Sequence, residues 1–202
     1  MMIKICGITN LDDALIAAEE GATALGFVFH PPSPRAVSEE AAAEIIARIP
    51  RHIWKVGVFV NRDPADIGRA AAACGLDVAQ LHGSESPAQA PRGVRVWKAV
   101  RVSPDGPETG WPPEAAEAFV LDTSSEAGFG GTGKTFPWRL ARSFPGRVIL
   151  AGGLDASNVA EAVRLAQPWG VDASSRLESA PGRKDPAKVK EFVRAARAAW
   201  KT

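Results

Sequence analysis

Ile3-Lys4-Ile5-Cys6-Gly7-Ile8-Thr9 is a short apolar run that closes on a cysteine, and Phe119-Val120-Leu121-Asp122-Thr123 is a second that closes on an aspartate. Outward from these two, further β-branched or apolar runs stand at Ala24–Phe29, Val56–Val60, Val78–Leu81, Val94–Val100, Val148–Ala151 and Val171–Ala173. With Ile3–Cys6 and Phe119–Leu121 they make eight candidate strands. Most are continuously apolar, as parallel strands buried on both faces must be. Ala-rich amphipathic stretches at Leu11–Glu20, Ser38–Ile49, Pro64–Cys74, Ala156–Gln167 and Pro186–Trp200 read as helices, with caps at Asn10, Ser38, Asp63, Asp155 and Asp185. Strand and helix alternate, so the fold class is α/β. With no nucleotide fingerprint after the first strand, the pattern favours a closed sheet over an open doubly wound one, which predicts a single (β/α)8 TIM barrel over residues 1–202. Pro87, Pro91, Pro104, Pro107, Pro112 and Pro113 leave little room for helices four and five, which should be short or irregular.

A chain of 202 residues lies at the small end for such a barrel, so its loops must be short. The formal charge of +1 and the scatter of Lys and Arg among acids argue against a nucleic-acid partner. No segment approaches the roughly 18 apolar residues of a membrane span, and none reads as a signal peptide. Cys6 and Cys74 lack metal-ligand spacing, so neither a disulfide framework nor a zinc site is expected, and a reducing cytoplasm fits best. Strand ends in a barrel carry chemistry, so Cys6 and Asp122 suggest an acid and a base facing one substrate. The structural alternatives are a buried small hydrophobe for Cys6 and a turn or cap residue for Asp122. The Gly-rich stretch Gly130-Gly131-Thr132-Gly133 favours a mobile lid.

Eight ordered blocks resemble the phosphoribosylanthranilate isomerases of tryptophan biosynthesis. They are Lys4-Ile5-Cys6-Gly7-Ile8-Thr9, Gly26-Phe27-Val28-Phe29, Ser33-Pro34-Arg35, Gly57-Val58-Phe59-Val60-Asn61, Gln80-Leu81-His82-Gly83, Leu121-Asp122-Thr123, Gly130-Gly131-Thr132-Gly133-Lys134 and Leu150-Ala151-Gly152-Gly153-Leu154. The resemblance implies a barrel without metal or organic cofactor and a small phosphorylated substrate. It implies the Amadori rearrangement of N-(5-phosphoribosyl)anthranilate to 1-(2-carboxyphenylamino)-1-deoxyribulose 5-phosphate, by a monomer or homodimer. It also implies Cys6 as base and Asp122 as acid. A free thiol titrates near 8.5 and a free aspartate near 3.9, so the pocket must invert their usual states. Lifting the aspartate by about three units takes roughly 4 kcal/mol, within reach of desolvation. Desolvation opposes a thiolate, so a cation is needed, and Lys4 shares a strand face with Cys6.

Phosphate is expected where the seventh and eighth strands end, on Gly152, Gly153, Ser174 and Ser175, with Gly131 contributing from the Gly-rich loop. The alternative for the paired glycines is a tight turn. Arg35, after a Pro-rich turn, is placed to fork onto the anthranilate carboxylate or stack on its ring, against the alternative of a solvated Arg. His82 reads as pocket lining, and Asp172 as an ion-pair partner for Lys4.

Two positions depart from the family. Arg176 stands where Gly usually follows the paired serines. It would cost about 1 kcal/mol or more in a left-handed conformation and fill the anion site, or else swing outward or clamp phosphate. Pro137 replaces a usual Asp at a first helical turn, where the helix should survive. The rival readings are a phosphate-binding barrel impaired by Arg176, and the sister histidine-pathway isomerase, which has an aspartate in place of Cys6.

Overall fold

Eight parallel strands follow one another in the computed structural model, which describes residues 1–103, 106–107, 109–123 and 137–200. They are β1 Met2–Cys6, β2 Ala24–Val28, β3 Trp54–Phe59, β4 Val78–Leu81, β5 Arg95–Ser103, β6 Ala118–Thr123, β7 Val148–Leu150 and β8 Gly170–Ala173. Each pairs with the next in chain order, and β8 returns to β1 through Met2↔Gly170, Ile3↔Val171, Lys4↔Asp172 and Ile5↔Ala173, closing the sheet. A closed sheet has no unpaired edge, which suits these runs of apolar residues.

Among the described residues, five α-helices cover the outside: α1 Leu11–Glu20, α2 Glu39–Ile46, α3 Pro64–Cys74, α4 Val159–Ala166 and α5 Pro186–Ala199. The side chains of Asn10, Ser38, Asp63 and Asp185 accept backbone N–H groups in the first turns of α1, α2, α3 and α5. Asp155 does not cap α4. Its Oδ1 accepts from Ser157 N at 2.9 Å, and the helix starts three residues later than expected, with Asn158 at the cap. Among the described residues, the helical turns of the proline-rich crossovers are 3-10, Pro87–Gln89 after β4 and Pro113–Ala115 after β5. After β6 the segment Trp138–Ser143 is also 3-10, so Pro137 precedes a 3-10 turn where an α-helix was expected. Among the described residues no helix is long and apolar enough to cross a membrane.

Strand alternation divides the apolar residues into two bodies. Ile3, Ile5, Leu25, Phe27, Phe119 and Leu121 face outward and pack under the helices. Met2, Ala24, Val56, Val78, Trp97, Ala118, Val120, Ile149 and Ala151 fill the inside of the barrel. At its amino end Trp97, fully buried, stacks on Trp54 at 6.0 Å and meets Trp169 edge-on at 6.0 Å. Apolar residues thus fill the lower barrel, and the polar positions of the same inward face fall at the carboxyl end.

Removing the Trp97 plug should expose how much the barrel depends on it. Trp97→Ala is expected to cost about 3–5 kcal/mol in denaturant unfolding. Trp97→Phe should cost less than half of that, because the buried indole Nε1 has no hydrogen-bond partner to lose.

Candidate active site

The parity that buries Met2 and Lys4 also turns Cys6 inward, and the same rule applies to Asp122 after Ala118 and Val120, to Ser174 after Asp172, and to Gln80 and His82 after Val78. These side chains line one cleft at the carboxyl end, together with Gly152, Gly153, Ser175, Arg35 and Arg176. Around the ring the order is β6 with Asp122, β7 leading to Gly152 and Gly153, β8 leading to Ser174 and Ser175, then β1 with Cys6. Gly131 and the rest of Gly130–Lys134 lie outside the described residues.

Room for the Cys6 thiol comes from Gly26, its register partner on β2, where an added Cβ would stand 2.6 Å from Sγ. Below it, Lys4 Nζ donates to Asp172 Oδ2 at 2.7 Å, and Lys4 is fully buried. Burial works against the Lys4 charge, but Asp172 and Cys6 beside it outweigh that and hold it above the ordinary lysine range. Burial pushes the Cys6 thiol up; Lys4 pulls it down, Asp172 opposes that pull, and the net direction is upward. Lys4 therefore aids the thiolate less than its position alone suggests, because its charge is already matched.

Arg35 already has a carboxylate of the chain itself on one edge of its guanidinium. Its Nε and Nη2 donate to Glu178 Oε1 and Oε2, both at 2.8 Å. Lys184 Nζ donates to the same Glu178 Oε1 at 2.9 Å and to the Ser174 carbonyl at 3.3 Å. Glu178 and Lys184 come from a hairpin, β9 Glu178–Ala180 and β10 Arg183–Lys184, that follows the barrel's last strand. Burial opposes the Glu178 charge, yet Arg35 and Lys184 hold its carboxyl below the usual range. Sequence reading missed both residues; the available signal was an acid and a base placed near the ends of a Pro-Gly turn, Pro181-Gly182.

Across the cleft, His82 Nε2 lies 3.8 Å from Asp122 Oδ2, beyond hydrogen-bond length. Burial, with Lys4 and Lys98 nearby, lowers His82 to about 4, so the imidazole is neutral near pH 7. The Gln80 amide lies 3.2 Å from His82 Nδ1, and as donor there it leaves the ring proton on Nε2, facing Asp122.

At the β7 and β8 ends, Gly152 and Gly153 both have left-handed backbones, at φ 82 and 66. Their conformation suits glycine and opens the backbone to close approach. Ser174 Oγ donates to the Cys6 carbonyl at 3.0 Å, so its hydroxyl ties β8 to β1 instead of standing ready for a ligand. Arg176 corrects the expectation of strain. It is not among the residues with positive φ, and it sits in a 3-10 turn, Ser175–Leu177. Nor does its guanidinium fill the cleft: the side chain is 48% exposed, with Nη1 3.5 Å from Asp155 Oδ2.

Residues 3–195 match the profile of the family described as N-(5'phosphoribosyl)anthranilate (PRA) isomerase. A protein of Solibacter usitatus named N-(5'-phosphoribosyl)anthranilate isomerase is 51% identical over 199 residues, covering 98% of each chain. The crystal structure of phosphoribosyl anthranilate isomerase from Thermotoga maritima is 38% identical, covering 98% of this chain and 99% of that one, with a TM-score of 0.87. A further structure of such an enzyme, in complex with reduced 1-(o-carboxyphenylamino)-1-deoxyribulose 5-phosphate, is 36% identical with the same coverage and a TM-score of 0.84.

The buried neutral imidazole makes stability depend on pH with a definite sign. Unfolded, His82 takes up a proton near pH 6.5; folded, it does so only near 4. The unfolded state therefore binds more protons in that window, and stability falls as pH falls through it. This group alone should remove up to about 3 kcal/mol between pH 6.5 and 4. Urea unfolding of His82→Gln should show a shallower acid loss than the parent; equal slopes would contradict the assignment.

Proposed function

The chain belongs to the N-(5'-phosphoribosyl)anthranilate isomerase family, and from that premise we propose that Cys6 is the general base and Asp122 the general acid of its reaction. That reaction is the Amadori rearrangement of N-(5'-phosphoribosyl)anthranilate to 1-(2-carboxyphenylamino)-1-deoxyribulose 5-phosphate, a step of tryptophan biosynthesis. The observation that carries the site assignment is the order around the barrel mouth. Acid strand β6 and base strand β1 are separated by β7 and β8, whose ends hold Gly152, Gly153 and Ser175. A phosphate gripped between them leaves the ribose spanning the gap from Asp122 to Cys6.

In this reading Asp122 gives its proton to the ribose ring oxygen, and the bond from that oxygen to C1 breaks to leave the ring-opened iminium. Cys6 then removes the proton on C2, and the electron pair of that C–H bond forms the enolamine, which tautomerises to the aminoketone. Gly152, Gly153, Ser175 and Gly131 hold the phosphate, with Ser174 fixing the register of β8 against β1. Arg35 meets the anthranilate carboxylate with N–H groups that Glu178 does not use, since only two of its five are engaged there. Neutral His82 forms a polar wall beside Asp122. Arg176 borders the phosphate end without blocking it, which removes the reason for an impaired barrel. Cys6 at the base position argues against the sister isomerase. Both cysteines are free, which supports a reducing compartment, and we take it to be the cytoplasm.

Turnover of freshly generated substrate, followed by loss of anthranilate-type fluorescence, tests this reading. Cys6→Ala and Asp122→Asn are each expected to lose at least about 100-fold in kcat. Arg176→Gly should leave kcat within a few-fold of the parent, since its guanidinium points to Asp155. A Cys6→Ala enzyme with parental kcat would overturn the base assignment.

A further inference from the structure

An anionic sulfur needs a net positive surrounding, and the nearest cation does not supply one. Lys4 stands on the strand of Cys6 but is matched by Asp172 at 2.7 Å, so that pair contributes a dipole and no net charge. On the other side of Cys6 the count is uneven. Arg35 and Lys184 both bind one carboxylate, that of Glu178, at 2.8 and 2.9 Å. Two cations on one anion leave one positive charge uncompensated. The group is buried enough for that charge to act: side-chain exposure is 18% for Arg35, 5% for Glu178 and 1% for Lys184.

Its position relative to Cys6 follows from the contacts. Lys184 Nζ donates to the carbonyl of Ser174, and Ser174 Oγ donates to the carbonyl of Cys6. Arg35 runs against the residue after Cys6, its Cδ 2.6 Å from where a Cβ on Gly7 would stand. Asp13 Oδ2 accepts the Lys184 amide N–H at 2.8 Å and so anchors this end of the hairpin to α1. Lys188 donates to the Glu178 carbonyl from α5 and pairs with Asp185 at the rim.

We propose that Arg35 and Lys184, sharing the single carboxylate of Glu178, supply a net positive charge that favours the Cys6 thiolate against its burial, with Lys184 acting as a positioning residue delivered by the β9–β10 hairpin. The inference rests on Cys6 being the base. Among the described residues, the charged and titratable groups around Cys6 or lining the same cleft are Lys4 on its own strand, Asp172 from β8, Glu178 and Lys184 from the hairpin, His30 and Arg35 from the loop after β2, His82 and Asp122 across the cleft, and Arg176 beyond the end of β8. Of these, Lys4 and Lys184 favour the thiolate electrostatically, and Arg35 in turn responds to the Cys6 charge. The hairpin thus does more than close the chain onto α5: it holds a cation that the barrel strands do not provide.

The test reads the thiol itself. Parent, Lys184→Gln, Lys184→Arg and Arg35→Gln are alkylated with iodoacetamide from pH 5 to 10, and modification is followed by mass on the Cys6 peptide. Each of the two neutral substitutions removes one cation, so the midpoint for Cys6 should move up by about one unit in both, cutting the rate at pH 7 by up to about tenfold. Lys184→Arg should restore the parental midpoint, which a loss of packing alone would not predict. Should Lys184→Gln fail to fold, the more exposed Arg35→Gln carries the same test. Folded Lys184→Gln and Arg35→Gln proteins with the parental Cys6 midpoint would overturn the proposal. A separate failure, parental turnover by Cys6→Ala, would sink the base assignment while leaving the charge measurement readable.

Discussion

Lys4 and Asp172 form an ion pair inside a barrel whose other lower residues are apolar, and the upper half of the molecule is built on it. Both side chains face inward because their strands alternate, and both lie at the same level because β1 and β8 meet in the register Lys4↔Asp172. Either charge alone at that depth would be costly; together, at 2.7 Å, they close the sheet seam in one register. A one-residue slip of β1 against β8 would turn Lys4 toward the helices and Cys6 out of the cleft. Removing one partner would leave a buried, unmatched charge, which is typically worth about 3–5 kcal/mol.

Much of this was legible in the sequence because it follows from period and position. The eight apolar runs gave the strands and put Cys6, Asp122 and Ser174 at strand ends, and the two-residue alternation put Lys4 on the strand face of Cys6. Asn10, Ser38, Asp63 and Asp185 announced helix starts because a short polar side chain before an amphipathic run can accept the first-turn N–H groups. Other expectations failed, some locally and some because the contact is long in range. Asp155 has the same signature as a cap, yet it bonds Ser157 and faces Arg176. One of the readings open for Arg176, strain in a left-handed backbone, rested on a glycine in the family, whereas here the residue lies in a 3-10 turn without positive φ. Arg35 and Glu178 lie 143 positions apart, and no local pattern reports that their side chains meet.

The charge of +1 on the whole chain hides a local division of labour. At the proposed phosphate end the approach is by backbone, through two left-handed glycines, which would bind an anion without placing a fixed cation next to the reacting carbons. At the thiol end the cations are close and heavily buried. Across the cleft His82, held neutral by burial and by Lys4 and Lys98, adds no charge beside Asp122. The proposed acid and base therefore sit in different electrostatic neighbourhoods a few strands apart, which is what opposite roles at one pH require.

A crystal structure of this chain with the reduced product bound would test the central claim most directly. The account predicts phosphate on the backbone of Gly152, Gly153 and Ser175. It also predicts the carbon chain crossing the mouth, with Cys6 Sγ and the Asp122 carboxylate each within about 3.5 Å of the atoms they serve. Phosphate bound on the β3 to β5 side of the mouth, or Cys6 turned away from the ligand, would contradict it.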